Sequence, residues 1–157
     1  MTLTIRPMRR EDAAACTDIV NDIIARGGTT AYEKPYTVDG FDAHYRQEPP
    51  ISMVALNGDH VVGFQAVFEV EPGLYSIGTF TDRRALVKGA GTALFDATLS
   101  ATKARGGTAI LAKITSDNTG GLAFYSRMGF TDFDVKKGDL TRPDGTVVDR
   151  IIKRFPL

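Results

Sequence analysis

The chain has no tryptophan, one cysteine and two histidines in 157 residues, and its 19 basic residues balance its 19 acidic ones. A single thiol excludes a disulfide framework, and Cys16 falls in a helical apolar pattern that marks it as an inert core residue. His44 and His60 lie in different segments, both distant from Cys16, so no closely spaced ligand set is visible and no metal is expected. Zero net charge without a basic block removes any long-range pull on polyanions. That argues against a nucleic-acid partner and leaves room only for a local positive pocket. No apolar run approaches a membrane span, so no membrane partner is expected. The first residues lack the basic, apolar and small-residue order of a secretion signal, and a cytoplasmic protein is the expectation.

What remains is a length suited to one sizeable core, read as a single domain over residues 1–157. Residues 2–7 read as a strand ended by Pro7. Cys16, Ile19, Val20, Ile23 and Ile24 recur at helical spacing until Gly27 and Gly28 stop the helix. Residues 29–35 follow as a loop or short extended piece and 38–46 as a second, weaker helix, with Pro49 and Pro50 as the next boundary. Residues 51–56 and 60–69 form a hairpin around Asn57-Gly58, because that dipeptide accepts the left-handed conformations of tight turns. His60 beside it is expected to be exposed. A strand over 74–80, a helix over 90–105 and a strand over 108–114 make a β, helix, β unit with parallel pairing. A short helix over 121–128 closes at Gly129, and strands over 130–136 and 147–155 flank Pro143-Asp144-Gly145.

The turn inside the β, helix, β unit reads Lys88-Gly89-Ala90-Gly91-Thr92. It fails the dinucleotide fingerprint, whose third glycine would fall on Leu94, and it lacks the P-loop pattern. Two readings stand. It is an ordinary loop-to-helix junction, or a phosphate-sized concavity in which amides near Gly89, Ala90, Gly91 and Thr92 meet an anion at a helix start, with Lys88 adding charge.

Read together with Asn118 to Phe130, NTGGLAFYSRMGF, the chain resembles the Gcn5-related N-acetyltransferase (GNAT) superfamily. Gly89 and Gly91 match the last positions of that family's turn, Arg or Gln, two variable residues, Gly, variable, Gly or Ala. Leu86 stands where the Arg or Gln would be. Asn118, Phe124-Tyr125 and Gly129-Phe130 match its late coenzyme-binding and catalytic segment, and Thr4-Ile5-Arg6-Pro7 its opening strand. Within the superfamily the chain is similar to the subgroup that includes phosphinothricin acetyltransferases, through residues 24–33 and the closing strand 145–155. The resemblance implies an α/β fold of the α+β mixed-sheet kind, with a mixed central sheet flanked by helices, and acetyl-coenzyme A as cosubstrate.

Acetyl transfer to an amine has three demands: removal of an ammonium proton, stabilisation of charge on the thioester oxygen, and protonation of the departing thiolate. The resemblance gives the last to Tyr125; packing against Phe124 and Met128 is the other reading of that ring. Asn118 is a helix cap, a coenzyme-binding residue, or both. Backbone amides at the end of Ile77-Gly78-Thr79-Phe80 are assigned to the coenzyme through Thr79 and Phe80, with a glycine tolerated at a bulge as the alternative for Gly78. Glu33 is the candidate base, with Glu69 and Glu71 as rivals, while the position where the subgroup often carries an acidic residue holds Leu74. His44 is expected on the outer or hinge face of the second helix.

The implied function is acetyl-coenzyme A dependent N-acetylation of a small-molecule primary amine, an amino acid or its analogue. Acetylation of a protein N-terminus or lysine, and non-catalytic acyl-coenzyme A binding, are the alternatives. The resemblance also allows a homodimer, with the late strands or the second-helix region as candidate surfaces.

Overall fold

A computed structural model describes residues 2–157. Strand β1 (Leu3–Pro7) leads through a short 3-10 turn into α1 (Ala13–Arg26). Of the periodic residues of α1, Cys16, Ile19, Val20 and Ile23 are buried, joined by Ala13 and Thr17, and Gly27 ends the helix with φ at +70°. The second helix is less regular than its sequence suggests. One turn, α2 (Val38–Phe41), widens into a π-helical turn over Asp42–Gln47, where the Glu48 amide reaches back to the Ala43 carbonyl at 3.1 Å. His44 therefore does not sit on an outer face. It is stacked between Tyr36 and Phe68, at centroid distances of 6.0 and 5.1 Å, because the wider turn brings His44 and Tyr45 inward together.

Strands β2 (Ile51–Asn57) and β3 (His60–Glu71) form the hairpin expected from Asn57-Gly58, with Gly58 at φ +60° and His60 exposed. β4 (Leu74–Thr81), α3 (Ala90–Ala104) and β5 (Ala109–Thr115) make the β, helix, β unit. α4 (Thr119–Met128) begins two residues before the predicted start, and β7 (Val147–Pro156) closes the chain. β6 (Thr131–Thr141) runs past Lys136, where the sequence reads as a loop. An irregularity between Lys136 and Leu140 absorbs that stretch, with Gly138 at φ +61°, and pairing with β7 resumes beyond it.

The seven strands form one mixed sheet in the order β1-β2-β3-β4-β5-β7-β6, in which β4 and β5 are the parallel pair. α1 and the second helix cover one face through Val54, Phe64 and Ala66; α3 and α4 cover the other through Val67, Ile77 and Ile110. Alternation along the central strands β2 to β5 sends neighbouring residues to opposite faces of the sheet. Among the described residues, no helix is long and apolar enough to cross a membrane.

The decisive feature is where β4 and β5 stop pairing. Their register runs from Leu74 with Ala109 to Ile77 with Ala112 and ends there. Beyond it, β4 stays with β3 through Thr81, while β5 stays with β7 through Thr115. Each strand follows its antiparallel neighbour, and the sheet opens between them.

Candidate active site

The opening between β4 and β5 is the floor of a cleft of about 890 Å³. The phase of the strand decides what β4 offers to it. The Asp82 amide donates to the Val62 carbonyl at 2.8 Å, so the backbone groups of Asp82, Phe80 and Gly78 face β3. The carbonyl of Phe80 accordingly lies 3.0 Å from where a Cβ on Gly63 would sit. The intervening residues, Thr79 and Thr81, turn amide and carbonyl to the side that β5 has left. Thr79 thus turns its backbone toward the opening. Phe80 does not: its backbone is turned to β3, and its ring, stacked 5.0 Å from Phe64, forms a wall.

At one end of the cleft lies the glycine turn. Gly89, at φ +86°, is the N-cap of α3, and no atom lies within 4 Å of where its Cβ would be. The Ala90 amide donates to the Val87 carbonyl at 3.2 Å and its methyl is buried, so Ala90 offers nothing to the cleft, contrary to the sequence reading. The Ala93 amide is bound to the Gly89 carbonyl. That leaves Gly91 and Thr92, both lining the cleft, as the first-turn amides without an intrahelical acceptor. A Cβ on Gly91 would lie 2.7 Å from the Phe124 ring, so α3 and α4 meet this closely only with glycine there. Lys88 is exposed and outside the lining, whereas Arg83 is part of it. Arg84 is held by Asp82 at 3.0 Å, which distinguishes the two adjacent arginines in a way no sequence pattern does. Leu86, 75% exposed, lies along the rim.

α4 brings Asn118 and Tyr125 to the cleft. The side-chain oxygen of Asn118 accepts from the Gly121 amide at 2.9 Å, so the cap is formed while the residue also lines the cleft. Two turns later Tyr125 is buried with its Oη 2.8 Å from Thr79 Oγ1, and Thr79 Oγ1 also accepts from Gln65 Nε2 at 2.8 Å. Burial pushes the Tyr125 phenol up to about 12, against the opposing effect of the Thr79 hydrogen bond. Across physiological pH it carries its proton. Gln65 gives no sequence signal, being one polar residue in an apolar strand.

The cleft lining contains Arg83, Lys113, Arg127 and Arg150 and no carboxylate. Glu33 stands outside it, 3.6 Å from Arg142. Arg142, buried at 7% exposure, also binds Asp117 at 2.9 Å, the Thr30 carbonyl at 2.6 Å and Thr115 Oγ1 at 3.0 Å. Glu69 and Glu71 flank the start of β4, the end at which it still pairs with β5, and Leu74 lies at that same end. Tyr32, Tyr45 and Phe68 form an aromatic wall opposite α4. His44 lies behind this wall: Glu48 holds its Nδ1 at 3.0 Å and its Nε2 is buried without a partner.

Residues 20–130 match the model of the acetyltransferase (GNAT) family. No curated protein matches the sequence. Among solved structures, an N-acetyltransferase from Staphylococcus aureus Mu50 superposes with a TM-score of 0.90 at 20% identity over 99% of both chains. A putative acetyltransferase from Salmonella typhimurium, solved with its cofactor acetyl-CoA, gives 0.90 at 18% identity over 100% of this chain and 95% of its own. A GNAT superfamily phosphinothricin acetyltransferase from Sinorhizobium meliloti, in complex with AcCoA, gives 0.90 at 21% identity over 100% of this chain and 89% of its own.

Proposed function

The chain belongs to the acetyltransferase (GNAT) family, and from that membership and the shape of its cleft we propose that it moves an acetyl group from acetyl-coenzyme A to the primary amine of a small molecule bearing a carboxylate, an amino acid or its analogue. The observation that carries this reading is the opened sheet. Thr79 presents unpaired backbone groups at its centre, with the first-turn amides of Gly91 and Thr92 at one end and the Tyr125 hydroxyl beside it. These residues fit an elongated anionic coenzyme. The Gly91 position admits no Cβ, the α3 start offers amides to a phosphate, and cations line the cleft without a carboxylate to repel one.

The coenzyme supplies the activated acyl group as a thioester. Gly91 and Thr92 would hold its phosphates through the backbone, with Arg83 adding charge where Lys88 does not reach. Asn118 and the backbone of Thr79 would orient its amide-bearing arm, and the Thr79 amide would receive the carbonyl oxygen as charge grows on it. Tyr125 Oη holds the proton required by a departing thiolate and regains one from the nitrogen that must lose it. With Glu33 paired to Arg142, that return serves an amine that reaches the cleft already neutral, its ammonium proton having passed to solvent before attack. The acceptor would lie against Tyr32, Tyr45 and Phe68, with Lys113 as the counter-charge for its carboxylate and Arg150, which Asp139 holds at 2.7 Å, as a shared second cation. The subgroup of phosphinothricin acetyltransferases is the reading this acceptor chemistry supports.

An amine panel with acetyl-coenzyme A, followed by free thiol release, tests the proposal. Free amino acids and close analogues should turn over at least tenfold better, in kcat/KM, than their decarboxylated amines. Preference for the amines lacking a carboxylate, or for peptide N-termini, would refute the acceptor assignment. Absence of turnover with every amine, despite coenzyme binding, would refute catalysis.

A further inference from the structure

Gln65 sits directly opposite Thr79 on the face of the sheet covered by α3 and α4, with 0% exposure. A primary amide there loses its hydration, and its Oε1 has no partner within the protein. Such a group opposes folding, and its presence calls for a task at its other end. That end is Nε2, and it donates to the hydroxyl that contacts Tyr125.

Resting on the reading of Tyr125 as the proton donor, we infer that Gln65 is a positioning residue that, through Thr79, sets the direction of the hydrogen bond to Tyr125 and leaves the tyrosine proton free for the cleft. The reasoning is a count of protons and lone pairs. Thr79 Oγ1 has one proton and two acceptor sites. When Gln65 donates to it, Thr79 keeps its own proton to give to Tyr125 Oη, and the phenolic proton points elsewhere. If the group at position 65 only accepted, Thr79 would have to donate to it. Tyr125 would then have to donate to Thr79, tying up the proton that catalysis needs. On transfer, the Tyr125 O–H bond breaks and an S–H bond forms. The phenolate so produced is stabilised by the Thr79 hydroxyl until the acylated nitrogen, attacked as a neutral amine whose ammonium proton has already gone to solvent, returns a proton, so charge and atoms balance. The high value to which burial pushes Tyr125 is compatible with this role, since a phenol that keeps its proton needs help to release it.

The test is single-turnover acetylation of an accepted amine across pH. Gln65→Met keeps the bulk and removes the donor, and should slow chemistry roughly three- to tenfold, the size of one lost hydrogen bond. Gln65→Glu is the sharper variant. Ionised, its carboxylate only accepts and reverses the chain; protonated, it donates and restores it. The ratio of wild-type to Gln65→Glu rates should therefore grow as pH rises through the titration of the introduced carboxyl, and this growth should vanish in a Tyr125→Phe background. A ratio independent of pH, or one that persists unchanged without the phenol, overturns the inference. Tyr125→Phe alone reads the acid assignment separately: a slow Tyr125→Phe with a flat Gln65→Glu ratio leaves the acid in place and removes Gln65 from the chain. A wild-type rate in Tyr125→Phe overturns both. Should position 65 variants fail to fold, Thr79→Val and Thr79→Ser break and preserve the same chain. Val should lose activity and Ser retain it, while equal losses overturn the inference.

Discussion

At the scale of single residues, Tyr125 has two duties that one substitution separates. Its ring packs at 5.1 Å against both Phe124 and Phe130, and its hydroxyl meets Thr79. Tyr125→Phe keeps the ring contacts and removes the proton. Single-turnover acetylation should therefore fall roughly ten- to a hundredfold while coenzyme affinity, measured by calorimetric titration, changes little. The pH profile carries a further mark. An ordinary tyrosine loses its proton near pH 10, as a typical value, but this phenol is held up to about 12. The wild-type rate should consequently show no acid-loss limb through pH 10, and a decline centred there would place the donor elsewhere.

At the scale of elements, α3 and α4 make one device out of two helix starts. The turn before α3 exposes amides, and Phe124 of α4 lies across it close enough that only Gly91 fits beneath. Gly91→Val should push Phe124 aside and fill the space over the amides. Titration should show acetyl-coenzyme A affinity weakened by at least tenfold, with the fold retained by circular dichroism. Unchanged affinity in a folded variant would remove the phosphate cradle. Lys88→Ala is the internal comparison, with little effect expected, because Lys88 lies outside the cleft lining.

At the scale of the molecule, Arg142 joins segments that the chain keeps far apart. From the β6–β7 turn it binds the 29–33 loop through Thr30 and Glu33, the end of β5 through Thr115, and the approach to α4 through Asp117. Arg142→Met leaves two carboxylates and a carbonyl short of a partner. It should cost on the order of 1–3 kcal/mol, below a fully buried pair because Asp117 keeps solvent contact. It should also raise KM for the acceptor, since the loop carries Tyr32 into the cleft. The sign of the pH dependence follows from Asp117. The Arg142 guanidinium holds its carboxyl below the ordinary 3.8. That contribution is fully present above the unfolded value and is lost as pH falls through the folded one. The thermal-stability gap between wild type and Arg142→Met should thus be constant near neutrality and shrink below about pH 4. A gap that stayed constant there would detach the clamp from this ion pair.

The sequence by itself determined what is local: the periodicity of α1, the Asn57-Gly58 hairpin, the glycine turn ahead of α3, the capped start of α4, and the motif positions of Gly89, Gly91, Asn118 and Tyr125. These are legible because propensity, turn conformation and alternation act between neighbours in the chain. Only the tertiary structure decided which of them face the cleft. The phase of β4 against β3 selected the backbone of Thr79 over that of Phe80, and the Val87 carbonyl removed the Ala90 amide from the cradle. The π turn drew His44 behind the aromatic wall, and Arg142 drew Glu33 out of the cleft lining. Gln65 and Thr79 are 14 residues apart, Thr79 and Tyr125 are 46 apart, and Thr30 and Arg142 are 112 apart. Hydrogen bonds over such separations leave no periodic trace. They depend on two strands parting after Ile77, and that divergence is set by each strand's antiparallel neighbour.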